Sequence, residues 1–139
     1  MNRQAVVEMI RSSQKDLENS VLSEKDAYAV VLKLAKNFSF DLSKQGIWAD
    51  SIWEELFPYT DNHDWEKLLV SLLGPFAENI YLAISDNEFF PWPVVICNKK
   101  SLVTFLNSQP YFEFFVFDAR MKKVLFDTHH NELILISNV

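Results

Sequence analysis

Apolar positions recur every three or four residues through the first half of the chain, then alternate or run together through the second. That change of period predicts helices followed by strands. Over residues 2–18, Ala5, Val6, Met9, Ile10 and Leu17 fall on one side of a helix whose other sides carry charge. Ser23-Glu-Lys-Asp26 is a capping-box-like start, and Ala27, Val30, Val31, Leu34 and Phe38 behind it keep the helical spacing. After a polar stretch from Ser39 to Gly46 and the pair Ile47-Trp48, a short helical piece is expected around Asp50 to Leu56. Pro58 stops it, because proline disfavours helical geometry at Phe57. Asp61 or Asn62 can cap another helix, with Trp65, Leu68, Leu69, Leu72 and Leu73 on one face and Gly74-Pro75 as its terminator.

From Asn79 the period is two: Ile80, Leu82 and Ile84 alternate with Tyr81, Ala83 and Ser85, and Asp86-Asn-Glu88 is polar enough for a hairpin turn. Phe89 to Cys97 resumes extended structure, its two prolines confining the first half to an edge or a loop. A short helix over about Ser101 to Asn107 would bury Leu102, Phe105 and Leu106. Three strands complete the chain, Tyr111–Asp118, Lys123–Asp127 and Glu132–Ile136, each apolar on both faces. A sheet of that kind must be covered twice, by its own helices on one side and by more chain or another molecule on the other. The expected fold is one α+β domain over residues 1–139, with amino-terminal helices packed on a mostly antiparallel carboxyl-terminal sheet of four to five strands.

Composition narrows the chemistry. With 139 residues and 49% hydrophobic content the chain can bury roughly two-thirds of its unfolded surface in one core. Gly46 and Gly74 are its only glycines, too few for a phosphate-cradling loop, so P-loop and dinucleotide-binding enzymes are excluded. The net charge is −6, and the acid excess is shared by both halves of the chain. Phosphate binding is driven by cations, so direct binding of nucleic acid is not expected, whereas a basic protein partner suits this surface. Cys97, the only cysteine, lies in an apolar run and reads as a small buried hydrophobe. Glu8 stands where a signal peptide would be apolar, and no segment reaches the ~18 apolar residues of a membrane span. A cytoplasmic protein with no membrane contact is expected.

No catalytic residues stand out. Asp127-Thr-His129-His130 carries good metal-ligand types, but adjacent histidines on a strand point to opposite faces. His63 and Asp64 would have to complete the site from a helix start. A polar hairpin turn is therefore preferred, with no metal and no cofactor. No Ser, Thr or Cys has the setting of a nucleophile, and Glu54 and Glu55 read as a solvated helix face. Phe89-Phe-Pro-Trp92 is a proline-bound loop that could leave Phe90 or Trp92 partly exposed as an interface anchor, although folding over the sheet is the simpler expectation.

The run Phe114-Phe-Val-Phe-Asp118, a short turn, a second strand and the polar hairpin Asp127-Thr-His-His-Asn-Glu132 closing on an apolar strand resemble the immunity proteins of bacterial polymorphic toxin systems, including those of contact-dependent growth inhibition. The likeness spans about the last sixty residues. It implies a non-enzymatic inhibitor that binds a cognate toxin domain, often a nuclease, and occludes its active site or substrate cleft. The contact residues expected on that basis are Asp86, Glu88, Asp118, Asp127 and Glu132 on turns, with Phe90, Trp92, His129 and His130 beside them; Asp61 and Asp64 are weaker candidates because capping explains them. A homodimeric structural or adaptor domain is the alternative, and a metal-dependent hydrolase a more distant one.

Overall fold

A computed structural model describes residues 1–13, 20–48, 54–86, 88–128 and 130–138. Among these the chain forms helices α1 (Arg3–Ser13), α2 (Glu24–Phe38), α3 (Asn62–Leu73) and α4 (Lys99–Asn107), and strands β1 (Glu54–Pro58), β2 (Asn79–Ile84), β3 (Val94–Asn98), β4 (Phe114–Phe117), β5 (Lys123–Asp127) and β6 (Glu132–Ser137). The strands make one sheet in the order β1-β6-β5-β4-β2-β3, each neighbouring pair antiparallel. The α+β class is as expected, with six strands in place of four to five. No helix among the described residues is long and apolar enough to cross a membrane.

The added strand is β1, where a helical piece was expected. From Glu54 onward the chain is extended and pairs with β6, Leu56 opposite Ile134 and Pro58 opposite Glu132; residues 49–53 lie outside the described set. Five residues ending in proline hold too few hydrogen bonds to sustain a helix, whereas the open edge of β6 supplies partners. An edge strand also tolerates the proline.

Side-chain oxygens start the helices. Ser23 Oγ accepts from the Asp26 N–H (3.1 Å), Asp61 Oδ1 from the Asp64 N–H (2.8 Å) and Asn98 Oδ1 from the Ser101 N–H (2.8 Å). The last cap begins α4 at Lys99, two residues before the expected start at Ser101, so the polar pair Lys99-Lys100 belongs to the helix.

Alternation along the strands divides the core into two layers. Phe114, Val116, Leu125, Leu133 and Leu135 face α1, α3 and α4, packing with Val6, Ile10, Leu69 and Phe105. Phe115, Phe117, Val124, Phe126 and Ile134 face the other way, onto Ala27, Val31 and Leu34 of α2, with Ile47 and Trp92. Both covers of the two-faced sheet thus come from within the chain, and no second copy is needed to bury it. Phe115 is the centre of the second layer, its ring 5.5 Å from Trp92, 5.1 Å from Phe126 and 6.0 Å from Phe117.

Candidate functional site

At the end of β5 an acid occupies an inward position. Asp127 has the parity of Leu125, so it faces the α1, α3 and α4 layer, paired in register with Phe114 and Leu133. Only 2% of it is exposed. A carboxylate held there must be hydrogen-bonded, and two aromatic residues do it. The Tyr59 hydroxyl donates to Oδ1 (2.9 Å) and the Trp65 Nε1–H donates to Oδ2 (2.8 Å). Tyr59 is held just past β1 by its own N–H, which donates to the Asn131 carbonyl (3.1 Å) in the turn before β6, where Asn131 takes a positive φ of 56°. Trp65 is placed by the capped start of α3, its N–H donating to the Asp61 carbonyl (3.0 Å).

Asp127 lines a cleft of about 350 Å³. Tyr59, Trp65, Phe112 and Phe114 give it aromatic walls; Asn62, Asn107, Gln109 and Asn131 add amides. Tyr111, 58% exposed, stands at its rim. Among the described residues the lining holds no lysine, arginine or histidine. Burial pushes the Asp127 carboxyl up to about 6, more than the hydrogen bonds from Trp65 and Tyr59 draw it down, and the negative charge of Glu113 adds to the rise. Burial also raises the Tyr59 and Tyr111 phenols, and in each case the charge of Asp127 reinforces it. Both phenols therefore stay protonated at ordinary pH, unsuited to act as bases. The cleft is a neutral aromatic and amide socket under negative potential, with a carboxylate at its base.

Of the eight described residues among the nine expected from the sequence, Asp127 alone lines this cleft. Asp86 and Glu132 share its end of the sheet: Asp86 follows β2, whose Ile84 pairs with Phe114, and Glu132 opens β6, whose Leu133 pairs with Asp127. Both are half-buried. Glu88 is exposed, its carboxylate 3.9 Å from the Met1 amino group. His130 is exposed, edge-on to Trp48 at 6.3 Å, and its N–H donates to Thr128 Oγ1 (3.3 Å). His129 lies outside the described residues.

Three of the nine, Asp127, Trp92 and Asp118, are buried where exposed contacts were expected, whereas Phe90 is partly exposed as expected. Trp92 is 4% exposed, its ring against Phe115 and its Nε1–H donating to the Glu88 carbonyl (2.8 Å), so the proline-bound loop folds over the sheet. Phe90 is half-buried beside it, 4.8 Å from Tyr28. Asp118 lies at the opposite end of β4 and is 3% exposed, because it clamps two loops: Oδ2 accepts from the Ala77 N–H (2.8 Å) and Arg120 Nη2 (3.1 Å), Oδ1 from the Arg120 N–H (3.0 Å). Burial acts to raise its carboxyl, but the donors from Ala77 and Arg120 outweigh that and hold it below the usual carboxylate range.

Sequence reasoning missed Tyr59, Trp65 and Tyr111. Tyrosine and tryptophan carry polar tips that seek partners when buried, and an acid at the inward position of an apolar strand is the group that would need them. Among the described residues no group of three or more His, Cys, Asp or Glu is arranged to hold a metal ion. Compared with family models, curated proteins and solved structures, the chain matches none.

Proposed function

We propose that this chain is an immunity-type inhibitor, a non-enzymatic cytoplasmic protein that binds a cognate bacterial toxin domain and occludes its active site or substrate cleft. The observation that supports it is the cleft over Asp127. A buried carboxylate with two neutral donors, in a socket lined by aromatics and amides on a chain of net charge −6, is a receptor for a cationic group. Tyr, Trp and amide side chains are also what protein interfaces use as anchors and adaptable hydrogen-bonding groups. A nuclease is the toxin class that fits best, because a cleft built for phosphate is itself cationic and accepts an acidic surface in place of nucleic acid. The sharing of one sheet end by Asp86, Asp127 and Glu132 fits an approach from that end.

The test is growth. A candidate toxin domain, sought at the carboxyl-terminal end of any large secreted protein encoded directly upstream, is expressed in a susceptible host with and without this chain. Protection together with a stable one-to-one complex is the expected result. Unrelieved toxicity, or a partner bound with its activity intact, would refute the reading.

A further inference from the structure

The cleft's chemistry points to one kind of group. Each carboxylate oxygen can accept two hydrogen bonds, and each Asp127 oxygen takes one from a neutral donor. Among the described residues the charge acting on Asp127 is the negative one of Glu113, so none of them offsets the carboxylate's own charge. Tyr59 and Trp65 in the walls and Tyr111 at the rim carry rings whose faces attract a cation, and the amides of Asn62 and Asn131 can accept as well as donate. A volume of about 350 Å³ suits a single long side chain or a small ligand and not a nucleotide cofactor. A planar, weakly hydrated cation with several donors uses such a site better than an ammonium, since it can stack on a ring while bonding to the carboxylate.

We propose that the Asp127 cleft is a socket for the guanidinium of one arginine on the protein partner. The proposal rests on the reading of this chain as an inhibitor of a cationic toxin domain. On binding, the guanidinium donates to the free acceptor positions of the carboxylate, and its face lies against Tyr111 or Tyr59. The rim residue Tyr111, half of it open to solvent, is positioned to close over the arginine stem.

The probes are Nα-acetyl-arginine amide, its neutral isostere Nα-acetyl-citrulline amide, the corresponding lysine derivative and free methylguanidinium. The readout is the indole N–H resonance of Trp65, which bonds directly to Asp127. Arginine amide is expected to move it saturably and citrulline amide not to; the lysine derivative should bind roughly tenfold more weakly. Saturable binding by arginine amide several-fold tighter than by methylguanidinium assigns the socket to a side chain with its stem, and equal or tighter binding of methylguanidinium would overturn that assignment in favour of a small guanidine. Asp127→Asn should abolish saturation, and because a core change can disturb the fold, Tyr111→Ala at the exposed rim should weaken binding several-fold with the unfolding midpoint unchanged. Saturation by citrulline amide, or persistence in Asp127→Asn, would overturn the proposal. A toxin that is neutralised while the Trp65 resonance stays unmoved would sink the socket and leave the inhibitor reading standing; an arginine-binding cleft in a chain that protects against no toxin would do the reverse.

Discussion

Asp127 makes the stability of this protein depend on pH in a direction opposite to that of most carboxylates. Its pKa rises from 3.8 to about 6 on folding, chiefly because burial disfavours the charged form. The native state therefore binds more protons than the unfolded chain between those values. The stabilisation that follows is complete below the unfolded pKa and is lost as pH rises through the folded one. From the two values, this single group should make the protein on the order of 1 kcal/mol less stable at pH 7 than at pH 5. For a domain of this size that is a shift in melting temperature of roughly 3–6 °C. The neighbouring phenols of Tyr59 and Tyr111 do not contribute, since burial keeps both protonated far above this window. Asp118 acts elsewhere: its lowered pKa gives stability that is present above 3.8 and lost only as pH falls below it. The assay is urea unfolding at pH 5 and pH 7 for the parent chain and for Asp127→Asn. An amide cannot titrate, so stability at pH 7 relative to pH 5 should rise by on the order of 1 kcal/mol in the variant, whatever the substitution does to absolute stability. An unchanged pH difference in Asp127→Asn would refute the placement of that charge in the core.

Other substitutions follow from the packing. Phe115→Ala, at 1% exposure among three aromatic rings, should cost about 3–5 kcal/mol in denaturant unfolding, against a total of ~5–15 kcal/mol for a domain. Trp92→Ala should likewise lower the unfolding midpoint, because the ring is core and not an exposed anchor; an unchanged midpoint would return it to the surface. Asp118→Ala should leave the Ala77 N–H without its acceptor and cost about 1–3 kcal/mol, a loss that shrinks as pH falls through the lowered pKa of Asp118. With a toxin partner in hand, raising salt from about 0.01 M to 0.15 M should slow association several-fold with little change in dissociation, as stopped-flow mixing would show, and charge reversal at the exposed Glu88 should reduce that salt dependence.

The fold was legible where one local signal decided the structure. Ser23 and Asp61 cap the helices their spacing announced, and Ile80, Leu82 and Ile84 alternate into the core as a strand should. The piece before Pro58 failed because its structure is decided elsewhere, by the free edge of β6. Covering the second face was foreseen as a need, but its supplier was not, since the spacing of Ala27, Val31 and Leu34 specifies an apolar helix face and is silent on which side of the sheet receives it.

The acids follow a rule that the sequence did carry. Asp118 and Asp127 each directly continue a strand that is apolar on both faces, so whichever way the side chain points it meets a covered layer. Reading them as exposed turn residues treated the strand as having a solvent side. Both are instead buried and satisfied, one by the Ala77 and Arg120 loops, the other by Tyr59 and Trp65, which lie 68 and 62 residues away in sequence. The difference between them is what separates a clamp from a site. Asp118 meets a guanidinium within its own chain, which neutralises it, whereas Asp127 meets the neutral donors of Tyr59 and Trp65 at the base of a cleft, and that contrast is what the arginine proposal rests on.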